Sequence, residues 1–285
     1  MRPQILTTYS NPCRWKSREE NYKRFKEELG HDLLTIEIAV GDEPHTLEDS
    51  VKLRAGHALW NKEAALMVGA QLLPQEQDFV FFVDADVIFE NKNFLNDTRR
   101  KLCEYKAVQP FGEVHRRFPD WSIEKSYVSY ASQYSKGVIS DNFEIDGHVG
   151  FAFAARREDF MLYTKSVAGT GDSLLMKAIT GQQRTRRITN VLRNVRLQHY
   201  LEWADKCYGR FQGSLGFTEG EINHLFHGTI PNRNYYGRMI ELDNLDFNPY
   251  TDVTTNNDGL LQFTRPDLIG WMGNYLKSRA EDEKC

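Results

Sequence analysis

The chain has 285 residues, 40% of them hydrophobic and 12% aromatic, which is enough for one large domain or two small ones. Its formal net charge of −4 argues against a protein whose whole surface is built to bind nucleic acid. The four cysteines have no C-x-x-C spacing, which indicates a reduced compartment and gives no zinc signature; they are Cys13, Cys103, Cys207 and Cys285.

The beginning of the sequence has no apolar segment of the signal-peptide type, and no apolar run approaches the length of a membrane span. We therefore expect a cytoplasmic protein without a membrane partner, located in the host cytoplasm if the protein is viral.

Strands and helices alternate through the first part of the chain. Apolar and β-branched runs predict strands over residues 4–9, 33–40, 79–83 and 107–110. Helices are predicted from a capping box at Ser17 to about Leu29, over residues 59–73 before Pro74, and over residues 93–105. Short connections between alternating elements predict an α/β fold with a mixed, mainly parallel sheet flanked by helices.

The second part of the chain is less regular. Strand-like runs occur at residues 150–155 and 222–226, and helical runs at residues 172–180 and 188–206. An N-cap at Thr264, with Pro266 two residues on, predicts a C-terminal helix that ends near Arg279. Residues 280–285 are mostly charged, and we expect them to be frayed.

Two carboxylates, Asp84 and Asp86, directly follow the five apolar residues of the strand at 79–83. Open α/β sheets bind ligands outside the carboxyl ends of their strands. Two carboxylates held close together there repel each other unless a cation compensates their charge. The usual compensating cation is a divalent metal that carries a phosphorylated ligand. The alternative is a solvated acidic turn.

Two longer motifs accompany this Asp-x-Asp sequence. Cys13-Arg14-Trp15-Lys16-Ser17-Arg18-Glu19-Glu20 is similar to a Pro-Phe-Arg-Asn-Arg helix start, and Trp60-Asn61-Lys62-Glu63 is similar to a Phe-Asn-Arg-Ala motif. Over roughly residues 4–90 the chain thereby resembles GT-A-fold glycosyltransferases, and among them the β-1,4-galactosyltransferase and chondroitin-synthesising group. It departs from that group in Lys62-Glu63, and in Gly169-Thr170-Gly171-Asp172 where the group has Gly-Gly-Glu-Asp.

The resemblance implies a GT-A-type (Rossmann-like) fold and a hexosyl- or pentosyltransferase, of phage or bacterial origin. It also implies Mn²⁺ or Mg²⁺ and a nucleotide-sugar donor, with a UDP-sugar expected. Residues 1–110 would bind the nucleotide sugar, and residues 111–263 would form the acceptor-binding, catalytic half of the same domain. Residues 264–285 would be the C-terminal helix and tail.

The resemblance assigns Asp86 to direct metal ligation and Asp84 to the ribose or a metal-bound water, so that both are metal-site candidates. A late histidine completes such sites, and either His224 or His227 could supply it. Positions three apart in a strand point to opposite faces, so we expect only one of them at the metal. We favour His227 because Gly228 allows close approach of backbone or ligand. The alternative is that both are ordinary polar residues at a strand end.

Two other histidines, His148 and His199, are isolated in the sequence, and we interpret them as structural or surface residues.

The sequence Gly169-Thr170-Gly171-Asp172 predicts a loop that delivers Asp172 to a helix N-terminus, where the helix dipole keeps a carboxylate ionised. An inverting transferase needs such a base to take the proton of the acceptor hydroxyl. An N-cap aspartate after a Gly-rich turn is the alternative.

Donor-site candidates cluster near the first two strands. Thr7, Thr8 and Tyr9 end the first strand, Asp42 follows the second, and cations suited to phosphate or base contacts are Arg14, Lys16, Arg18 and Lys62. The glycine-bearing segment 146–154 resembles the wall of a sugar pocket, or is a bend before a core strand. Arginines and tyrosines over residues 231–238 could close over the diphosphate or hold the acceptor.

Residues 173–201 contain no Asp or Glu but six basic residues: Lys177, Arg184, Arg186, Arg187, Arg193 and Arg196. A continuous helix would align Arg186, Arg193 and Arg196, and the stretch from Arg184 to Arg196 could then bind a polyanion such as DNA. A hydroxymethylated base of phage DNA is therefore one candidate acceptor, and a bacterial glycan or protein is the other. The simpler interpretation of this basic stretch is a solvated helix face.

For the protein as a whole, the alternatives to a glycosyltransferase are a nucleotidyltransferase and a non-catalytic binding protein.

Overall fold

The computed structural model describes residues 4–138, 140 and 142–283, so that the first three residues and Cys285 lie outside it. In this part the strands are β1 Ile5–Ser10, β2 Leu33–Val40, β3 Val51–Ala55, β4 Phe79–Val83, β5 Val87–Phe89, β6 Ala107–Gln109, β7 Glu113–Arg117, β8 Ile123–Val128, β9 Ala152–Arg156, β10 Leu215–Phe217, β11 Glu221–His224, β12 Val253–Thr255 and β13 Leu261–Phe263. The helices are α1 Lys16–Leu29, α2 Lys62–Leu72, α3 Phe94–Glu104, α4 Tyr130–Ser135, α5 Phe143–Asp146, α6 Gly171–Ile179, α7 Arg186–Val191, α8 Asn194–Phe211, α9 Ile230–Arg233, α10 Gly237–Asn244 and α11 Pro266–Ser278.

A seven-stranded sheet forms the centre, in the order β10-β6-β9-β4-β1-β2-β3. Its pairs are parallel except those of β9, which runs antiparallel to β4 and β6. The structure therefore confirms the mixed, mainly parallel α/β sheet flanked by helices. Strands from both halves of the chain share this sheet.

The apolar run of β4 is buried on both faces, as the sequence predicted. Alternate side chains enter two different cores. Phe81 packs in the core that includes Phe25 of α1 and Phe94 of α3, whereas Phe82 packs in the core that includes Leu66 of α2. Because the strand is fixed from both sides, the residues that follow it are held at the sheet edge.

A second sheet, in the order β5-β11-β7-β8, extends from this edge. The antiparallel pair β5–β11 sets His224 opposite Val87, and the N–H of Leu225 donates to the carbonyl of Asp86 at 2.9 Å. The end of β11 therefore lies beside the Asp-x-Asp segment.

Helix α1 is capped differently from the prediction. It begins at Lys16, and Ser17 is not its N-cap. Instead, the carboxylate of Asp282 accepts hydrogen bonds from the backbone N–H groups of Lys16 (2.9 Å) and Ser17 (2.8 Å). The expectation that the tail from residue 280 is frayed was wrong for the part the structure describes, because Glu281 is fully buried.

Two further helix boundaries differ. The last helix has Arg265, not Thr264, at its N-cap position, and the Thr264 hydroxyl donates to the Thr251 carbonyl instead. The predicted continuous helix over residues 188–206 is two helices, because Leu192 and Arg193 are extended between α7 and α8. In the part of the chain that the structure describes, we find no helix both long and apolar enough to span a bilayer.

Candidate active site

A cavity of about 1010 Å³ opens at the carboxyl ends of β1 and β4, at the upper end of the size range of small-molecule sites. Its wall includes Thr8 and Tyr9 from β1, Asp84 and Asp86 after β4, and Asp172 from α6. The predicted strand ends and the predicted loop thus meet in one place, at the sheet edge where open α/β folds bind ligands.

Three side chains of the cavity form a group that could hold a metal ion: Asp86, His224 and His227. Oδ2 of Asp86 lies 3.0 Å from Nε2 of His227 and 3.7 Å from Nε2 of His224, and the two Nε2 atoms are 3.1 Å apart. The second described group of this kind, formed by Glu113, His115 and Glu221, lies largely on the exposed surface of the small sheet.

The donor set fits a divalent cation. Oδ1 of Asp86 is buried without a hydrogen-bond partner, which leaves one carboxylate oxygen for a ligand. One carboxylate and two imidazoles form a mixed oxygen and nitrogen donor set, whereas Mg²⁺ prefers an all-oxygen shell. Burial opposes the ionisation of Asp86, but His224, His227 and Arg233 hold the pKa of this carboxyl well below its usual range. Burial also lowers the pKa of His224, which favours the neutral imidazole that a metal requires.

Both histidines converge on Asp86, contrary to the expectation that strand alternation would separate them. The reason is that β11 ends at His224, so that His227 lies beyond the strand and its period of two no longer applies. Asp84, predicted as a second metal candidate, does not belong to the group. Its Oδ1 instead binds Nζ of Lys62 at 2.6 Å.

Lys62 bridges Asp84 and Asp172. Its Nζ lies 3.2 Å from Oδ1 of Asp172, and it is the first residue of α2. Burial would lower the pKa of Lys62, but Asp172 and Asp84 raise it above its ordinary value. Burial raises the pKa of Asp84 to about 7, with Lys62 opposing that shift. The ammonium group of Lys62 therefore forms ion pairs with two carboxylates in the cavity wall.

The loop before Asp172 is tightly determined. Thr170 adopts a left-handed backbone with φ 75°, an uncommon conformation for a β-branched residue. A Cβ at Gly171 would overlap the carboxylate of Glu63, and a Cβ at Gly150 would lie 2.9 Å from Oδ2 of Asp172. Both glycines therefore pack closely against carboxylate side chains, and Asp172 enters the cavity beside the start of β9.

Two arginines of the cavity wall, Arg233 and Arg238, are 3% and 1% exposed, and neither has a carboxylate partner among the described residues. Arg233 donates to the Tyr235 hydroxyl at 2.9 Å, and Arg238 lies over the rings of Trp60 and Tyr235 at 5.5 and 4.9 Å. The Nε atom of each is buried without a partner. Buried cations that no carboxylate contacts directly indicate a site for an anionic ligand.

The predicted donor-site residues separate into two groups. Thr8, Tyr9, Arg18 and Lys62 line the cavity, whereas Arg14, Lys16 and Asp42 lie on the exposed surface. Arg14 pairs there with Glu43 and Lys16 with Glu20. Thr7 is fully buried, and its hydroxyl donates to the Val83 carbonyl at 2.7 Å, so that it joins β1 to β4. Of these three exposed residues, Arg14 precedes α1, Lys16 begins it and Asp42 follows β2.

The interpretation of His148 as structural or surface needs correction, because this side chain lines the cavity. Its ring stacks on Phe151 at 3.9 Å, and burial, followed by Arg116 and Arg187, lowers its pKa to about 3. His199 lies elsewhere, with Nδ1 2.9 Å from the Tyr163 hydroxyl, in a structural position.

The six basic residues of the acid-free stretch do not form one surface. Lys177 is fully buried and binds Asp146 at 2.7 Å, and Arg196 is buried and binds Asp243 at 2.5 Å. Arg184 pairs with Asp205 at 3.1 Å. The break between α7 and α8 removes the predicted alignment of Arg186, Arg193 and Arg196 on one helix. Of the six, Arg186 and Arg187 reach the cavity wall.

No sequence pattern pointed to several residues of the site. Three of them lie far from the motifs in the sequence. Tertiary packing brings Arg116 and Arg279 to the cavity wall, and it brings Glu281 to Arg18, another residue of that wall. Glu63 was noted only as a departure from a family motif, yet it packs directly under the loop that carries Asp172.

No family model and no curated protein matches this sequence. Solved structures do show likeness. One is the mannosyltransferase PcManGT from Pyrobaculum calidifontis in complex with GDP-Man and Mn²⁺, at 14% identity and a TM-score of 0.37. That match covers 64% of this chain and 53% of the other, so that this chain spans about half the length of that protein.

Two other matches cover more of both chains. The catalytic domain of Drosophila β1,4-galactosyltransferase 7, in complex with xylobiose, matches at 12% identity over 95% of this chain and 98% of its own, with a TM-score of 0.37. A putative glucose-1-phosphate thymidylyltransferase from Bacillus anthracis matches at 9% identity over 90% and 98%, with a TM-score of 0.34. All three matches lie below 25% identity and below a TM-score of 0.5, so the residues of the cavity itself carry the functional assignment.

Proposed function

We propose that this protein is a metal-dependent glycosyltransferase that moves a sugar from a nucleotide-sugar donor to an acceptor hydroxyl. The observation that carries the proposal is the convergence of Asp86, His224 and His227 at the carboxyl edge of a mainly parallel sheet. The same cavity holds Arg233 and Arg238, two buried cations without carboxylate partners.

These features suit a diphosphate. Arg233 lies next to the metal-binding group, since its Nη2 is 3.4 Å from the carbonyl of His227. A nucleoside diphosphate would supply the anionic partner that the two buried arginines lack. Guanidinium groups bind phosphate oxygens in a fixed geometry. When bound by Asp86, His224 and His227, Mn²⁺ or Mg²⁺ supplies Lewis-acid stabilisation of the leaving diphosphate.

Asp172 is the proposed base. Its side chain is 31% exposed, in the cavity wall, so that an acceptor hydroxyl can reach it. The carboxylate takes the hydroxyl proton as the oxygen attacks the anomeric carbon, and the sugar transfers with inversion. Lys62 orients this carboxylate through its two oxygens, at 3.2 and 3.4 Å from Nζ. Asp84, held by the same lysine at 2.6 Å, is the proposed contact of the ribose or of a metal-bound water.

In this proposal residues 1–110 supply Tyr9, Arg18 and Asp86 to the donor side. Residues 111–263 supply Asp172 to the acceptor side, and they also contribute His224, His227 and Arg233 to the metal and diphosphate site. The acceptor is either a hydroxymethylated base of phage DNA or a bacterial glycan or protein. The buried ion pairs of Lys177 and Arg196 weaken the case for DNA, because these two cations cannot meet a phosphate backbone.

The test is product release from a panel of UDP-, GDP-, CDP- and dTDP-sugars with Mn²⁺, with EDTA as the control. Acceptor arms contain hydroxymethylcytosine DNA, oligosaccharides or no acceptor. We expect metal-dependent release of a nucleoside diphosphate from one donor, stimulated by one acceptor class. Pyrophosphate release from a nucleoside triphosphate and a sugar phosphate would identify a nucleotidyltransferase instead. Metal-independent binding without turnover of any donor would favour the non-catalytic alternative.

A further inference from the structure

The segment after α11 packs into the molecule beside the candidate metal site. Glu281 is fully buried, and its carboxylate accepts hydrogen bonds from Nε and Nη2 of Arg18 at 2.5 and 2.8 Å and from Nε of Arg279 at 2.6 Å. Two guanidinium groups from distant parts of the chain therefore fix the orientation of one carboxylate.

This carboxylate faces the outer side of His227. Nδ1 of His227 is buried without a hydrogen-bond partner, and Oε2 of Glu281 lies 3.7 Å from it. The gap exceeds a hydrogen bond by roughly half an ångström, which a small rotation of the imidazole closes. The close approach depends on Gly228, where a Cβ would lie 3.1 Å from Cα of Glu281.

We propose that Glu281 is a positioning residue of the metal site. Its carboxylate accepts a hydrogen bond from Nδ1–H of His227 and so directs Nε2 of that ring toward an ion held with Asp86 and His224. The inference rests on the proposed function, because it presumes that these residues bind a metal. The physical reason is that the partner of one imidazole nitrogen fixes the tautomer and the ring orientation. A carboxylate partner also raises the basicity of the nitrogen that binds the metal.

The first test measures the Mn²⁺ affinity of the full chain without nucleotide, by titration calorimetry, in the wild type, Glu281→Gln and Asp282→Asn. Asp282 is the matched control, because it lies in the same segment and caps α1 without contacting His227. We expect Glu281→Gln to weaken Mn²⁺ binding by about 10- to 100-fold and Asp282→Asn to stay within about twofold of the wild type. Equal loss in both variants, or wild-type affinity in Glu281→Gln, would overturn the proposal.

A second measurement does not depend on the folding of a Glu281 variant. In ¹⁵N-labelled wild-type protein loaded with Zn²⁺, a hydrogen-bonded Nδ1–H of His227 gives a downfield proton signal protected from exchange, assigned by its absence in His227→Gln. Absence of this signal in the wild type overturns the proposal. If the wild type binds neither Mn²⁺ nor Zn²⁺, the metal site of the proposed function fails too, whereas metal binding without the signal contradicts the role of Glu281 alone.

Discussion

The Nζ atom of Lys62 lies 2.6 Å from Oδ1 of Asp84 and thereby holds the first carboxylate of the Asp-x-Asp segment away from the metal-binding group. The two carboxylates, one residue apart, thus have different partners, because Asp86 turns to His224 and His227. A short acidic motif therefore supplies one carboxylate to the candidate metal-binding group and another that pairs with a lysine, which also contacts Asp172.

Replacement of the proposed base should separate binding from turnover. We expect Asp172→Asn to bind donor and Mn²⁺ like the wild type and to lose transfer by about 10²- to 10⁴-fold, the usual contribution of a general base. Donor binding by calorimetry and single-turnover transfer measure the two effects. Full transfer activity in this variant would remove the assignment of Asp172.

Loss of the bridging cation should destabilise the site. Lys62→Met leaves Asp84 and Asp172 facing each other without compensation, and both are roughly a quarter to a third exposed to the cavity. We expect a loss of about 2 kcal/mol in the free energy of unfolding, less than for a fully buried pair. Lys16→Met is the control, since Lys16 forms an exposed pair with Glu20 and should change stability little. Equal stability of both variants in urea denaturation would contradict the bridging role.

The loop of Asp172 should not tolerate a methyl group at Gly171. A Cβ there overlaps the Glu63 carboxylate, so that Gly171→Ala should displace Asp172 and lower transfer by at least about tenfold. Gly270→Ala, in α11, is the control because its Cβ would meet no atom within 4 Å. The double variant Gly171→Ala with Glu63→Ala removes the overlap and should recover part of the activity. An active Gly171→Ala enzyme would show that this packing is not needed.

Glu63 should lower the free energy of unfolding as pH rises. Burial raises its pKa to about 8, so that the folded protein holds this proton more tightly than the unfolded chain does. Its contribution is therefore complete below about pH 4.5 and is lost as pH rises through 8. We expect Glu63→Gln to gain a few kcal/mol relative to the wild type between pH 5 and pH 9. Urea denaturation at the two values measures the gain, with the exposed Glu158→Gln as a control whose difference from wild type stays constant. A constant difference for Glu63→Gln would contradict the buried, protonated carboxyl.

The sheet was predictable because its signals are local. Five consecutive apolar residues in β4 enforce burial on both faces, and Asp84 and Asp86 must then emerge at the strand end. Other strands have no such apolar run, and their periodicity was too weak to predict them. Examples are β7 and β8 of the second sheet.

The parts of the site that sequence patterns missed depend on contacts between distant segments. Glu281 looked like part of a charged, free tail, yet Arg18, Arg279 and the N-terminus of α1 hold its segment in place. The basic stretch looked like an interface, yet buried aspartates from elsewhere in the chain neutralise Lys177 and Arg196. A charge pattern does not reveal which partners the fold will bring.

The most direct test of the metal-dependent donor site is the binding of nucleoside diphosphates with and without Mn²⁺, in the wild type, Asp86→Asn and His224→Ala. The proposed function predicts that Mn²⁺ strengthens the binding of one nucleoside diphosphate in the wild type by at least about tenfold, and that both substitutions remove the Mn²⁺ effect while the fold is retained. If Asp86→Asn and His224→Ala show the same Mn²⁺ effect as the wild type, or if Mn²⁺ changes nothing in any of the three, Asp86, His224 and His227 do not form the donor's metal site.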